Sequence, residues 1–80
     1  MVRISAVRVL KDRRVELTLT DGRTKEVDLA PLLEGPIFDA IRERDDVFAT
    51  LWVDPECGTI VWPNGADICP DVLIYDRPPV

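Results

Sequence analysis

Three aspartates in the second half of the chain have the side-chain chemistry of a metal site. Asp54, Asp67 and Asp71 carry carboxylate oxygens, the ligands that hard cations such as Mg²⁺ prefer. A metal-dependent enzyme built on these carboxylates is therefore one hypothesis. Against it, Arg77 is the only basic residue after Arg44, which leaves little to stabilise negative charge in a transition state. We assign no catalytic residue and no metal ligand, and we expect no cofactor.

The two cysteines are the other candidates for chemistry. Cys57 and Cys69 stand in a chain without histidine, so neither a Cys/His nor a four-cysteine zinc site can form within one chain. A disulfide between them is an alternative, but a reducing cytoplasm favours two free, partly buried thiols. A cysteine nucleophile needs a cationic neighbour to lower its pKa, and the sequence offers none nearby.

The stretch "WPNGADICPD", residues 62–71, is the candidate binding segment. In a functional interpretation, Trp62 anchors an exposed recognition loop to which Asn64, Gly65 and Asp67 contribute. In a structural interpretation, Asn64 and Gly65 form a turn and the Asp67 carboxylate accepts backbone N–H bonds. We favour the structural interpretation, in which Trp62 is at least half buried and Asn64-Gly65 is exposed at the tip.

Length and composition predict one small domain over residues 1–80, with no linker and no helix-turn-helix extension. Apolar residues make up 46% of the chain, which is typical of a globular protein. No apolar run approaches the ~20 residues of a membrane span, and the first residues lack the pattern of a signal peptide. We therefore expect a cytoplasmic protein without a membrane partner.

Charge is unevenly distributed along the chain. The net charge is -5, which argues against direct nucleic-acid binding. Residues 1–25 contain seven basic and three acidic side chains, whereas residues 45–80 contain seven acidic side chains and one basic. Two solvated ends of a domain explain this pattern. A dipolar surface that orients a partner or a second copy explains it as well.

Apolar residues alternate with charged residues in three predicted strands, at about 2–10, 14–20 and 23–29. A two-residue turn between the last two strands would place carboxylates in the core. Three-residue loops at 11–13 and 20–22 instead pair Val15 with its apolar counterparts, including Val27. Gly22 then takes the left-handed position of the second loop.

The rest of the chain predicts a covering helix, a second hairpin and a short final helix. The helix spans about 36–44, where Phe38 and Ile41 lie on one apolar face above the sheet. The segments "VFATLWVD" and "TIVW" form the second hairpin around "PECG", and Pro70 begins the final helix. The fold class is α+β, in two layers: β-β-β-α-β-β(-α), a mainly antiparallel sheet with one covering helix and a short C-terminal helix.

Two long segments, "LTLTDGRTKEVDLAPLLEGPIFDAIRE" and "FATLWVDPECGTIVWPNGADICPDVLIYD", resemble the small bacterial domain-of-unknown-function family 2442. The resemblance covers nearly the whole chain and is most specific in the Asp21-Gly22 turn and in "WPNGAD". It implies the same sheet-plus-helix fold, and it implies no activity, cofactor or catalytic residue. Some relatives continue into a helix-turn-helix domain, and others are encoded beside a second small domain, as in toxin–antitoxin pairs.

The leading functional hypothesis is a small cytoplasmic protein-interaction module, the antitoxin-like or adaptor half of a two-protein bacterial system. Its partner would have a basic face, would be encoded by the adjacent gene, and would contact the acidic second half and an available sheet edge. A homo-oligomer is a further possibility. Two alternatives remain: the carboxylate-based metal-dependent enzyme, and a transcription-related accessory domain that acts with a DNA-binding partner.

Overall fold

A three-stranded antiparallel sheet forms the first half of the protein. The computed structural model describes residues 2–76. The strands lie in the order β1-β2-β3 and are β1 (Ile4–Val9), β2 (Arg14–Leu19) and β3 (Thr24–Asp28). Val15 pairs with Val9 on one side and with Val27 on the other. The predicted register is therefore confirmed, and it returns the apolar side chains of β2 to one face.

The two tight loops of this sheet differ in which type of residue adopts the left-handed backbone conformation. In the second loop, the N–H of Gly22 donates to the carbonyl of Leu19 at 3.0 Å, and Gly22 has φ of +91°. This confirms the predicted conformation of Gly22. In the first loop the left-handed residue is Asp12, with φ of +59°. Aspartate tolerates this region better than most residues other than glycine.

The predicted helix at 36–44 is divided in the structure. A 3-10 turn at Pro36–Phe38 leads into α1 (Asp39–Glu43), and Arg44 is then extended, with φ of -120°. A second short helix follows, α2 (Asp45–Phe48), and its last two residues belong to the segment that was predicted as a strand. The carboxylates of two aspartates in its first turn interact favourably with the positive end of the helix dipole. Phe48, the last residue of the helix, is buried.

The second hairpin is shorter than predicted and forms its own sheet. It consists of β4 (Trp52–Asp54) and β5 (Thr59–Val61), and α3 (Pro70–Tyr75) follows. The protein is α+β as predicted, but it has two antiparallel sheets instead of one. A backbone hydrogen bond of 3.1 Å from the N–H of Ile4 to the carbonyl of Gly58 joins the hairpin to the beginning of β1.

The core lies between one face of the first sheet and the segments that follow it. Ile41 is completely buried, which confirms its prediction, whereas Phe38 packs against the core and is only partly buried. None of the helices in residues 2–76 has the length and apolar character that a membrane-spanning helix requires. The largest fully buried side chains include Trp62, Phe48, Leu17, Leu29, Leu33, Ile41, Ile60 and Leu73.

Candidate functional site

Trp62 belongs to the core. Its side chain is only 2% exposed, and its indole N–H donates to the carbonyl of Phe48 at 3.1 Å. The ring of Phe38 meets the indole edge-on, with centroids 5.8 Å apart, and the Phe48 ring lies at 6.2 Å. These contacts confirm that Trp62 is at least half buried. In the functional interpretation Trp62 was the exposed anchor of a recognition loop, and its burial contradicts that role.

Asn64 and Gly65 are exposed at the tip, as expected. The Asn64 carboxamide nevertheless bonds within the protein: its N–H donates to the carbonyl of Ile37 at 2.9 Å, and its oxygen accepts from the N–H of Ala66 at 3.0 Å. Gly65 has φ of +91° and donates to the carbonyl of Trp62 at 3.0 Å. Asn64 therefore fastens the loop to the segment before α1.

Asp67 does not have the predicted structural role. Within residues 2–76 its carboxylate accepts no hydrogen bond from a backbone N–H, and its side chain is exposed. Only its backbone is engaged, in a bridge to Val61 that prolongs the ladder of β5. The prediction was wrong because Asn64 accepts the N–H of Ala66 in the turn, and α3 begins without a side-chain cap.

The three aspartates of the metal hypothesis are not assembled into a site. Among the described residues, no group of three or more His, Cys, Asp or Glu side chains could hold a metal ion. One Asp54 oxygen instead accepts from the N–H groups of Glu56 at 2.9 Å and Cys57 at 3.4 Å, as in an Asx turn. Asp71 lies in the first turn of α3.

Both cysteines are free, as expected, but both are exposed rather than partly buried. The negative charge of Asp54 is the main cause that raises the pKa of the Cys57 thiol, with smaller contributions from burial and from Asp67. A raised pKa leaves less thiolate at neutral pH, so the environment of Cys57 is opposite to that of a catalytic cysteine.

The outer edge of β3 is an open sheet edge in the described part of the chain. The N–H of Leu19 bonds the carbonyl of Arg23 and the N–H of Leu29 bonds the carbonyl of Arg13, so the residues between them that point their backbone groups away from β2 are Thr24, Glu26 and Asp28. The outer edge of β1 is different, because β4 and β5 lie close to it and its Ile4 bonds the hairpin. Val9, at the far end of the β1 edge, is 40% exposed.

A cavity lies directly beside the β1 edge. It has a volume of about 270 Å³ and separates the end of β1 from α2. Its walls are apolar on the strand and helix sides, with charged groups from the first loop and the beginning of α2. The lining residues are Val9, Leu10, Asp12, Arg13, Asp45, Phe48 and Ala49.

Arg13 is the buried cation of this cavity. Its side chain is 13% exposed and its guanidinium carbon lies 4.9 Å from the centre of the Phe48 ring. One terminal nitrogen donates to Asp45 at 2.7 Å and the other donates to the carbonyl of Arg42 at 2.8 Å. The buried Nε has no acceptor among residues 2–76. The arginine is therefore held in a fixed position by the protein itself.

Part of this site could be predicted from the sequence. An available sheet edge was predicted, and the register determines that the outward residues of β3 are Thr24, Glu26 and Asp28. The cavity was missed because it depends on α2, whose last two residues lie in the segment where a strand was expected. Nothing in "KDRR" marks Arg13 as the arginine that becomes buried.

The comparisons with known proteins identify a family and no function. No curated protein and no solved structure matches the chain. One family model matches residues 4–79, almost the whole length. The chain therefore belongs to the family described as "Protein of unknown function (DUF2442)".

Proposed function

We propose that this protein is a protein-interaction module that binds an extended segment of a partner along the outer edge of β3. The observation that carries the proposal is the row of outward backbone groups on Thr24, Glu26 and Asp28, in a strand that pairs with β2 alone among the described strands. A strand added to a sheet edge gains main-chain hydrogen bonds, and neighbouring pockets select its side chains.

The surroundings of the two edges favour β3 over β1. The second hairpin lies close to β1, whereas β3 pairs only with β2 among the described strands. The side chains of Thr24, Glu26 and Asp28 are exposed. Two of these three residues are acidic, which discourages pairing with a second copy of the same strand and complements a basic partner segment.

In its finer form, the proposal makes this protein the antitoxin-like or adaptor half of a two-protein bacterial system. A net charge of -5 suits a partner with a basic face, because complementary charge speeds and orients association. The partner would be the product of the adjacent gene. Trp62 is buried, so in the 62–67 loop such a partner would contact Asn64, Gly65 and Asp67.

A proline scan of the two edges tests the proposal. Thr24→Pro removes an outward N–H that makes no ladder bond, which edge strands tolerate. Val7→Pro is the matched control on β1, since its N–H also points away from β2. We expect the purified product of the adjacent gene to bind wild type and Val7→Pro equally, and Thr24→Pro at least about tenfold more weakly. Equal binding by Thr24→Pro, with both variants folded by circular dichroism, would reject the β3 edge.

A further inference from the structure

We infer that the partner segment at the β3 edge carries a lysine or arginine between two apolar residues, and that this basic residue lies opposite Glu26. The inference rests on the proposed function, because the segment must first pair with β3. It adds the chemistry of the segment, which the outward backbone groups alone do not determine.

The two faces of β3 differ in character. Successive side chains of a strand point to opposite faces, and directly paired residues share a face. Glu26 and Asp28 are exposed on the outer face. Lys25 and Val27 are half-buried on the core face, where Val27 pairs with Val15. A partner strand would therefore meet carboxylates with one set of alternate residues and the margin of the core with the other.

The cross-strand row of directly paired residues that contains Glu26 carries a net negative charge. Arg8 pairs with Glu16, and Glu16 pairs with Glu26, so the row has one cation and two adjacent carboxylates. Arg8 bonds Glu16 at 3.2 Å, at the β1 end of the row. Like charges directly opposite each other destabilise a sheet, and opposite charges stabilise it. A lysine or arginine opposite Glu26 would balance the row.

Arg14 is shared between two carboxylates and does not remove this preference. Its Nε donates to Oε1 of Glu26 at 2.7 Å on the diagonal, and it pairs directly with Asp28 in the next row. The hydrogen bond and charge of Glu26, with a smaller contribution from the charge of Asp28, raise the pKa of Arg14. Asp28 also accepts the N–H of Ala30 at 3.1 Å. Glu26 is 52% exposed, and among the described residues it accepts through Oε1 alone.

Apart from these two rows, the charged side chains of β3 and of the two tight loops occur in combinations of opposite sign. Three are ion pairs with N–O distances of 2.6 to 2.9 Å: Arg13–Asp45, Arg23–Asp21 and Lys25–Asp76. The fourth consists of the exposed neighbours Lys11 and Asp12 in the first loop. These combinations add no net charge, so the excess negative charge of the edge lies in the row of Glu26.

The partner residues on either side of the basic residue would be apolar. They lie opposite Lys25 and Val27 and share the core face with them. Val27 packs against the core, and an apolar residue beside it would extend that contact. Lys25 is already paired with Asp76, so it offers its half-buried aliphatic stem and would repel a second cation. The pattern reads the same in both chain directions, so it holds for parallel and antiparallel pairing.

A random seven-residue peptide library, displayed on phage and selected against the immobilised full chain, tests the inference. We expect enriched peptides to share a lysine or arginine between two apolar residues. Glu26→Gln should weaken the best synthetic peptide about two- to fivefold and reduce its dependence on salt, as expected for an exposed cross-strand pair. Asp28→Asn is the matched control on the same edge. It keeps an oxygen for the N–H of Ala30 and should change binding by less than about twofold.

A charge exchange identifies the position of the basic residue. Glu26→Lys should repel the best peptide and should bind, more tightly than wild type does, the peptide whose basic residue is replaced by glutamate. In that combination the charges of the row alternate in sign from Arg8 to the peptide. If the glutamate peptide binds Glu26→Lys and wild type equally, the basic residue does not lie opposite Glu26.

The outcomes distinguish the two proposals. If Thr24→Pro abolishes peptide binding, but the peptides share no basic residue or bind Glu26→Gln as well as wild type, the edge is correct and this inference is wrong. If selection enriches no peptide, or only peptides that bind Thr24→Pro normally, both proposals are wrong. Wild-type dimers that dissociate in Thr24→Pro, measured by analytical ultracentrifugation, would place a second copy at the edge and would also overturn the inference.

Discussion

The indole N–H of Trp62 donates to the carbonyl oxygen of Phe48, at 3.1 Å in the interior of the protein. This bond joins the residue that follows β5 to the last residue of α2. Because Phe48 also lines the cavity beside β1, the loop at 62–67 and the cavity share one structural support. Substitution of the tryptophan should therefore disturb the cavity as well as the loop.

The burial of Trp62 predicts a large stability difference between two substitutions. Trp62→Ala removes a fully packed aromatic side chain and should lower the free energy of unfolding by about 3 to 5 kcal/mol. Trp62→Phe keeps a ring but leaves the Phe48 carbonyl without its donor, at a cost of about 1 to 3 kcal/mol. Urea denaturation followed by circular dichroism measures both. A loss below about 1 kcal/mol for Trp62→Ala would contradict the buried position.

Fluorescence provides a second measurement. Trp52 is 45% exposed, whereas Trp62 is 2% exposed. The Trp52→Phe variant should therefore emit at shorter wavelength and resist acrylamide quenching, while the Trp62→Phe variant should be readily quenched. In concentrated urea the two variants should become indistinguishable.

The stability of the protein should depend on Asn64 rather than on Asp67, to which the sequence assigned the structural role. Asn64→Ala removes two hydrogen bonds, to Ile37 and Ala66, and should lower the free energy of unfolding by about 1 to 2 kcal/mol. Asp67→Ala removes no hydrogen bond within the described residues and should change it by less than about 0.5 kcal/mol. Urea denaturation of the two single variants decides between them. The reverse order would restore Asp67 as the residue that holds the loop.

The sequence predicted the first sheet well because alternation and loop length are local. Placing Val15 opposite Val27 requires only that apolar side chains share a face. The α2 segment was missed because "DDVF" has too few residues for a helical period to be distinguished from a strand. Its helix depends on burying Phe48 under Trp62, a contact between residues fourteen positions apart. Likewise, Asn64 and Asp67 both have side-chain oxygens near the turn, and only the folded backbone determines that Asn64 reaches the N–H of Ala66.

Gly22 tests the register of the second loop. A β-carbon at this position would meet no heavy atom within 4 Å, so substitution costs only backbone strain at φ of +91°. Gly22→Val should lower the free energy of unfolding by about 1 to 2 kcal/mol. Gly22→Asn should cost less, because asparagine tolerates positive φ. Equal stability of Gly22→Val and wild type in urea would contradict this loop conformation.

Loss of Arg13 should lower the free energy of unfolding more than loss of Asp45, its partner in the ion pair. Asp45 is almost fully exposed, so Asp45→Asn should change the free energy of unfolding by about 0 to 1 kcal/mol. Arg13→Ala removes the contact with Phe48 and the bond to the carbonyl of Arg42, and should cost about 1 to 3 kcal/mol. Thermal denaturation of both variants measures the difference. Equal losses would mean that the pair itself holds the arginine in place.

The thiol of Cys57 should react slowly, and the charge of Asp54 should be the main reason. The carboxylate raises the pKa of Cys57, so at neutral pH a smaller fraction is thiolate and alkylation by iodoacetamide slows. Asp54→Asn removes the charge while keeping an oxygen for the N–H of Glu56, so it should lower the pKa and speed alkylation at a fixed pH. A Cys69→Ser background isolates the signal, and Asp71→Asn is the control because Asp71 does not contribute to the shift. If the rate–pH profile of Cys57 is the same in the Asp54→Asn variant, the raised pKa has another cause.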